Sequence, residues 1–586
     1  MRCGRDGVSL VDTIDRCCSP MGSRLLRQWL AMPIMDIRQL DARYDIVQHF
    51  LDKPDILSEI QLQISGTGDL ERTISRVATG KILPREMLQL GRSLSRMEPI
   101  RDLCSGSGVE ALDKLASGMR NTREVFRRIT ETLDENPAGQ IGKGDVIAAG
   151  VDPELDRLRE ISRGGKEYLL QMQQREIERT GISALKISYN NVFGYYIEVR
   201  NSSRDRVPPE WIRKQTLVNA ERYITPELKE YEEKILGAEA TIYETESRLY
   251  SQLIQDVQKS IRDIQENCSI IARLDVLQGF AQQASDRNYC RPVVDKSAAL
   301  DIRAGRHPVI ETLMAPGEEY VPNDVSMDSK GDQIIILTGP NMAGKSALLR
   351  QTALIVLMAQ IGSFVPAASV RMGWFDKIFT RVGATDNISR GESTFMVEML
   401  ETSMIMHNLS ARSLVLLDEI GRGTSTYDGM SIARALVEYI HGSGKGAKTL
   451  FATHYHELND LEKLYPRVKN YHIAVKEEGR NVIFLRKMEP GGVAHSFGIH
   501  VARLAGMPRE VIESAERTLR ELELREKHMD NMSVDEDGGL QLSLFQLDDP
   551  TLSSLRRQLE EADLNNMTPM QAFDLLRKMK QELGLS

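Results

Sequence analysis

Residues 339–346 read Gly-Pro-Asn-Met-Ala-Gly-Lys-Ser, two glycines with four residues between them and then Lys and Ser. This is the spacing of a phosphate-binding loop, in which backbone N–H groups and a Lys meet a polyphosphate. Gly339, Pro340, Asn341, Met342, Ala343 and Gly344 would supply the backbone cradle. Lys345 would reach the β- and γ-phosphates, and the Ser346 hydroxyl would complete a Mg²⁺ site. The flanks are those such a loop needs. Ile334–Leu337 is an apolar run of strand length, and Ala347–Ile361 carries apolar residues at three- and four-residue steps, which predicts a helix. A strand feeding a Gly-rich turn and then a helix aims bare N–H groups and the positive end of the helix dipole at one point.

A second half-site lies downstream. Leu414-Val415-Leu416-Leu417 runs into Asp418-Glu419. Asp418, at the exit of a buried strand, can face the metal held by Ser346, and Glu419 can activate the attacking water. Gly421–Gly429 is rich in Gly, Ser and Thr and is expected to be a loop beside the site. Thr449–Thr453 reads as another strand, with His454 at its tip, placed to sense a γ-phosphate. His454, His456 and Glu457 lack a third His or Cys at zinc-ligand spacing. In Ser389–Met399 small polar residues stand just before a helix, a start able to cap a phosphate, including one held by another subunit.

These segments resemble the ATPase domain of the MutS family of DNA mismatch repair proteins. The likeness rests on Thr338–Met342, Ser393–Met399, Asp418–Ser425 and Ala452–Tyr455, and continues through Gly194–Ile197 and Asn219–Tyr223. Two small departures are Ala347, where the family usually has Thr, and Ala343, where many members have Gly. The resemblance implies hydrolysis of ATP with Mg²⁺ by an ABC-type fold. Tyr320, beside Val321, would stack on adenine, and Ser393 would reach the nucleotide of a second subunit. It also implies double-stranded DNA, MutL and a second copy of the chain, as a homodimer or tetramer, as partners. The family's N-terminal mismatch-reading and connector domains have no counterpart, since Gly7–Asp12 already resembles the start of the core region.

The implied fold is multidomain and mixed. A core and lever of long helices (1–166) leads to a small β-rich clamp tip (167–226), and a lever helix returns (227–290). An α/β phosphate-loop ATPase domain (291–496) follows, then a helix-turn-helix dimer contact (497–528), a disordered linker (529–549) and C-terminal oligomerisation helices (550–586). Residues 1–150 read as short helices with Gly- and Pro-marked breaks. Pro153–Thr180 reads as a charged helix with Leu155, Leu158, Ile161 and Leu169 on one side. Ala184–Tyr189 and Gly194–Val199 read as strands around an Asn190-Asn191 turn. The absence of Pro between Pro226 and Pro292, with one apolar stripe from Leu228 to Ile264, predicts a single helix of ~60 residues, ~90 Å long at 1.5 Å per residue. On the tip, Arg200, Arg204, Arg206, Arg213 and Lys214, with Trp211 among them, could grip DNA phosphates without reading bases.

The chain has 586 residues, with Lys+Arg 75 against Asp+Glu 84 and a net charge of −9. DNA contact must therefore come from a local patch rather than a global field. Six cysteines without paired spacing, the absence of a membrane-length apolar run and the absence of a signal-peptide core fit a cytoplasmic, nucleoid-associated protein. Two other functions fit parts of the sequence. A MutS paralogue acting on branched DNA also lacks the N-terminal domain; a chromosome-structure ATPase carries long helices but a different signature loop. Phe497–Glu523 reads as two helices joined near Gly506-Met507-Pro508, and Thr551–Leu585 as two short helices, the second starting at Thr568-Pro569.

Within the acidic tail, Gln541, Leu542, Leu544 and Phe545 resemble the short peptide that docks on the bacterial sliding clamp. Replacing Leu544 and Phe545 with Ala is expected to abolish capture of the sliding clamp in a pull-down and to leave ATP turnover unchanged. Undiminished capture by the double variant would exclude this docking mode.

Overall fold

The computed structural model describes residues 7–190, 192, 194–340, 343–383, 393–478, 481–492, 498–530 and 568–582. It divides into two compact units, Met1–Val501 and Ala502–Ser586. In the first unit the chain begins with helices α1 (Leu10–Ile14), α2 (Pro20–Ala31), α3 (Ile37–Asp52), α4 (Pro54–Ser65), α5 (Leu70–Ala78), α6 (Pro84–Leu94), α7 (Met97–Cys104), α8 (Glu110–Gly118) and α9 (Arg123–Thr132). Their starts follow local chemistry. Ser19 accepts a hydrogen bond from the Gly22 N–H with Pro20 in the first turn, and Asp36 accepts from Arg38 and Gln39.

Helix α10 (Pro153–Thr180) is capped by Asp152 and ends at Gly181 with φ +65°. Of the expected stripe, Leu155 and Leu169 are buried and Leu158 is half-buried, but Ile161 is exposed, and Arg159, Ser162 and Met172 are buried as well. The cause is the partner helix. Arg159 turns inward to meet Glu246, an attraction that apolar periodicity does not register.

A four-stranded antiparallel sheet follows, in order β1 (Lys186–Asn190), β2 (Gly194–Arg200), β4 (Ala220–Ile224) and β3 (Ile212–Thr216). The first strand starts two residues later than expected. Ile197, Val199, Trp211 and Tyr223 form a small core with Leu169, Met172 and Leu228 from the adjoining helices. Trp211 is therefore buried against Tyr223, ring centroids 6.0 Å apart, and does not belong to the surface patch the sequence predicts.

The return path is two helices, α11 (Pro226–Gln258) and α12 (Ile261–Arg287), and not one. The break falls at Lys259-Ser260, where Ser260 has φ −104° and ψ 9° and its N–H turns back to the Val257 carbonyl at 3.0 Å. No Gly or Pro marks it, and the apolar stripe runs straight through it. After the turn α12 is enclosed on most sides, with Asn267, Asp275 and Gln278 all buried. Asp275 takes hydrogen bonds from the N–H groups of Cys18 (2.7 Å) and Ser19 (2.8 Å) and from the Ser19 hydroxyl (2.6 Å).

Beyond α12 two sheets share the fold. One has four strands in the order β5 (Val293–Asp295), β9 (Ser369–Gly373), β6 (Leu300–Gly305) and β7 (Asn323–Met327), with the short helix α13 (Ile310–Leu313) between β6 and β7. The other runs β10 (Lys377–Arg381), β11 (Ser413–Asp418), β12 (Lys448–Ala452), β8 (Ile334–Thr338), β13 (Val468–Glu478), β14 (Asn481–Pro490). All neighbours in it are parallel except the last pair. Its central strands β8, β11 and β12 are buried on both faces, as the strands of parallel sheets are. Ile335, Leu337, Leu414, Leu416 and Leu450 join the core of the N-terminal helices, together with α14 (Lys345–Gln360). Ile334, Ile336, Val415, Leu417 and Phe451 face a second core with α15 (Thr394–His407) and α16 (Thr426–Gly442). The short α17 (Leu461–Leu464) precedes β13.

Helix α18 (Gly498–Leu504) ends the first unit and opens the second, which contains α19 (Arg509–Asp530) and a helix at Pro569–Glu582. The turn between α18 and α19 falls at Gly506, φ +81°, as the sequence predicts. Helix α19 extends to Asp530, one residue beyond the start of the expected 529–549 linker. Gln541, Leu542, Leu544, Phe545 and the first of the two expected C-terminal helices lie outside the described residues. Among the described residues no helix is long and apolar enough to cross a membrane.

A buried ion pair ties α10 to α11. Arg159 Nη2 lies 2.6 Å from Glu246 Oε1, their side chains 7% and 1% exposed. Glu246 also accepts the Val146 N–H at 3.1 Å, and Arg159 donates to the Ile147 carbonyl at 2.8 Å. Arg159→Met should lower the stability of this helical region by about 3–5 kcal/mol, because it strands a buried carboxylate. Arg159→Met combined with Glu246→Leu should recover most of that loss. Urea unfolding followed by helical circular dichroism checks both; equal loss in the single and double variants would contradict the assignment.

Candidate functional site

The parallel register places the ends of β8, β11 and β12 on one edge of the six-stranded sheet, with β12 in the middle. Each of the three strands leads directly into candidate residues: Gly339–Ser346 after β8, Asp418 and Glu419 at and after β11, His454 after β12. Gly339 and Gly344 have φ +132° and +104°, a region closed to most other residues, which lets the chain turn back into α14. Asn341 and Met342 lie outside the described residues, as do 384–392 of the segment before α15.

Helix α14 starts at Lys345, and Gly344 provides no side-chain cap, so its first N–H groups keep their donor capacity. Lys345 is buried, and its Nζ donates to the Gly339 carbonyl and, at 3.1 Å, to the Pro340 carbonyl. Burial pulls the ammonium down to about 8, against the opposing pull of Glu419 and Asp418. Ser346 is hydrogen-bonded to Asp418. Burial raises the Asp418 carboxyl, Ser346 lowers it and Glu419 raises it further. Its Oδ1 is buried and lacks a hydrogen-bond partner among the described residues. A hydroxyl beside an orphaned buried carboxylate oxygen is a donor set that fits a hard divalent cation such as Mg²⁺.

Glu419 is bent out of the strand by a left-handed backbone, φ +56°, fixed by its N–H to the Ala452 carbonyl at 2.9 Å. A non-glycine residue held there costs of order 1–2 kcal/mol, a strain typical of functional positions. The bend aims the carboxylate at His454 Nε2 on one oxygen and Arg422 on the other. Burial pushes the Glu419 carboxyl up, but the His454 hydrogen bond and the charges of His454, Arg422 and Lys345 outweigh it and hold the group below its ordinary value.

Gly421–Gly429 is a loop only in its first half. Ser425 caps α16, accepting from the Asp428 N–H, so Thr426–Gly429 form the first helical turn. Cap chemistry overrode composition: Ser and Thr favour helix starts as well as loops. Gly421 lies directly on Gly429, where an added Cβ would come within 2.6 Å of backbone. The Gly421 N–H donates to buried Glu398 at 2.6 Å, and Tyr455 Oη donates to the Gly421 carbonyl at 3.0 Å. Arg381 reaches Glu398 (3.5 Å) and Glu401 (3.2 Å). Arg422 and Glu398 were missed as functional residues. Their partners come from other strands and helices, and no local pattern signals them.

Tyr320 lies just before β7, half-buried, its hydroxyl donating to Gln351 of α14 at 2.9 Å, and burial pushes it up to about 12. Val321 is half-buried beside it. Ser393 is exposed at the N-cap of α15, and its hydroxyl caps nothing.

The tip cations are less free than the sequence implies. Arg204 and Arg213 both approach Glu221, at 3.6 and 3.2 Å, which also accepts from Tyr223. Arg206 donates to the Gly181 carbonyl at 3.2 Å. Lys214 is exposed and has no carboxylate partner among the described residues. The acid that compensates Arg204 and Arg213 is Glu221, brought over by strand pairing. Glu210 is engaged by Arg179 at 2.9 Å.

Comparison with known proteins places this geometry. Residues 2–281 match the model of MutS domain III and residues 335–523 that of MutS domain V. The DNA mismatch repair protein MutS of Bacteroides fragilis (strain YCH46) is 54% identical over 582 residues, covering 98% of this chain and 68% of that protein. Those of Bacteroides thetaiotaomicron and Flavobacterium johnsoniae are 55% and 53% identical, with 68% and 67% of their lengths covered. The chain thus spans about two thirds of the length of these relatives. With two family domains matched in order and over half of the aligned residues identical, the chain belongs to the MutS family of DNA mismatch repair proteins.

Proposed function

We propose that this chain hydrolyses ATP to ADP and phosphate with Mg²⁺, and that the nucleotide governs how its β tip holds double-stranded DNA as a clamp. The observation that carries the reading is the convergence of Lys345, the Ser346–Asp418 pair and the Glu419–His454 pair at one edge of a parallel sheet. Phosphates lie against the start of α14, and Lys345 exchanges the carbonyls of Gly339 and Pro340 for β- and γ-phosphate oxygens. Ser346 and Asp418 hold Mg²⁺, which when bound neutralises charge on the phosphate oxygens. Glu419 takes the proton of the attacking water, which requires Arg422 to release the carboxylate. His454 orients Glu419 and senses the γ-phosphate. Tyr320 stacks on adenine beside Val321, and Ser393 reaches the nucleotide of a second subunit.

On the same reading, 1–166 and 227–290 form a lever, 167–226 the clamp, 291–496 a phosphate-loop ATPase domain of ABC type and 497–528 a helix-turn-helix that joins two copies. MutL and the sliding clamp are the protein partners, the latter through Gln541–Phe545 after the 529–549 linker. Residues 550–586 extend the assembly, and the site of action is the bacterial nucleoid.

Glu419→Ala should keep ATP affinity within a few-fold and lower turnover by about 100-fold or more, the usual scale for loss of a general base. Filter binding and steady-state hydrolysis separate the two; collapse of binding with turnover per bound ATP intact would reverse the assignment.

DNA affinity should fall linearly with salt on a logarithmic scale, as phosphate contacts require. Arg206→Ala and Lys214→Ala should each reduce that slope by about one unit and weaken all sequences alike. Fluorescence anisotropy at several salt concentrations measures the slope. A marked preference of this chain for a mismatched over a fully paired duplex would falsify phosphate-only recognition.

A further inference from the structure

Helix α14 is held at both ends. Its first residue is Lys345. Its last turn is gripped by the N-terminal helices, more than three hundred residues away in sequence. The helix closes with the Ser363 N–H on the Met358 carbonyl and the Gly362 N–H on the Ala359 carbonyl, both 3.0 Å, with Gly362 at φ +88°. Helix α3 takes up carbonyl capacity left at that end. Tyr44 Oη donates to the Ala359 carbonyl at 2.5 Å, and Arg43 Nη1 donates to the Ile361 carbonyl at 2.5 Å. Gln360 is fixed as well. Its carbonyl accepts the Ile34 N–H at 3.0 Å, and its side chain accepts from the Phe375 N–H and donates to the Phe375 carbonyl, both at 2.8 Å.

Arg43 is an unusual choice for this place. Its guanidinium lies 3.3 Å from the centroid of the Trp29 ring and has no carboxylate partner among the described residues. Burial, then the charge of Arg273, pulls it down to about 10. An added Cβ on Gly362 would come within 2.4 Å of the Arg43 Cδ, so the side chain lies directly on the helix end. A half-buried charge is a costly way to fill space, and an apolar side chain would pack here without that desolvation. What the guanidinium supplies is direction. It meets the negative end of the helix dipole and fixes α14 along its axis and about it.

The two ends of this helix belong to different parts of the mechanism. α14 has 16 residues and spans ~24 Å at 1.5 Å per residue, so a shift at Lys345 is delivered to Ala359–Ile361. α2 and α3 pack on α12, with the Trp29 and Phe280 rings 6.3 Å apart, and α12 continues from α11, the helix that returns from the β tip. We propose that Arg43 and Tyr44 are positioning residues that tie α14 to the helical arm, so that nucleotide at Lys345 and DNA at the β tip bias one another. This rests on the function proposed above and names the contact through which it is regulated.

The test uses the full chain and three variants: Tyr44→Phe, Arg43→Gln and Arg43→Lys. Tyr44→Phe keeps the buried ring and removes one hydroxyl, so it decides the matter if Arg43→Gln does not fold. ATP turnover and affinity are measured with and without duplex DNA, and DNA affinity with and without ATP. Turnover without DNA and DNA affinity without nucleotide should stay within about two-fold of the unaltered chain. The factor by which DNA changes ATP affinity and the factor by which ATP changes DNA affinity should shrink together, by about five-fold or more, because binding coupling is reciprocal. Arg43→Lys should restore part of both. A folded Tyr44→Phe variant with both factors unchanged overturns the proposal, and so does one that loses turnover without DNA. An unaltered chain that neither hydrolyses ATP nor binds DNA would defeat the proposed function itself. One that does both without mutual effect defeats only this inference.

Discussion

A parallel sheet buried on both faces can expose its chain only at its edges, and the organisation of the larger unit follows from that. Ile334–Leu337 and Leu414–Leu417 alternate between two separate cores, one shared with the N-terminal helices and one with α15 and α16. Polar chemistry cannot sit within those strands. It is confined to the residues just past their ends, where Lys345, Asp418, Glu419 and His454 meet. The burial that creates this edge also sets its electrostatics. Lys345 is pulled down and Asp418 pushed up by burial, and Glu419 is held down against burial first by its hydrogen bond to His454 and then by the charges around it.

The same constraint explains the strained and glycine-rich stretches. A carboxylate leaving β11 along the strand direction would miss His454; the left-handed turn at Glu419 corrects its aim. The loop after it must cross the first turn of α16 at backbone contact distance, which Gly421 and Gly429 permit. Arg422 then occupies the second oxygen of Glu419. In this arrangement each oxygen of the carboxylate has a side-chain partner.

Because one face of the sheet belongs to the core of the N-terminal helices, no apolar seam separates the two regions. Helix α14 crosses that shared core with Lys345 at one end and Arg43 and Tyr44 at the other. Helix α10 is held to α11 by the buried Arg159–Glu246 pair, among other contacts, and the four-stranded antiparallel sheet has its own small core around Trp211 and Tyr223. Rigid pieces joined by directional contacts at their ends are the arrangement in which a small movement at one end is conserved to the other.

The sequence by itself determined what is local. The Gly-rich loop with its Lys and Ser, the apolar strands ending in Asp418-Glu419 and His454, and the Pro- and Thr-marked starts of α10 and α11 all lie within a few residues of their cause. The observed elements fall close to the predicted ones for that reason. Tertiary structure decided what depends on distant neighbours. Lys259-Ser260 breaks the long helix and α12 beyond it is buried on most of its surface, whereas the apolar stripe continues unchanged through the turn. Trp211 moved from surface to core because strand pairing set it against Tyr223. Glu221 became the acid that compensates Arg204 and Arg213 by register. Arg422 on Glu419, Glu398 on Gly421 and Arg43 on Ile361 are contacts between elements whose meeting no short stretch of sequence encodes. Periodicity and composition report how a segment prefers to fold; which charged side chain it meets is settled only when separate segments pack.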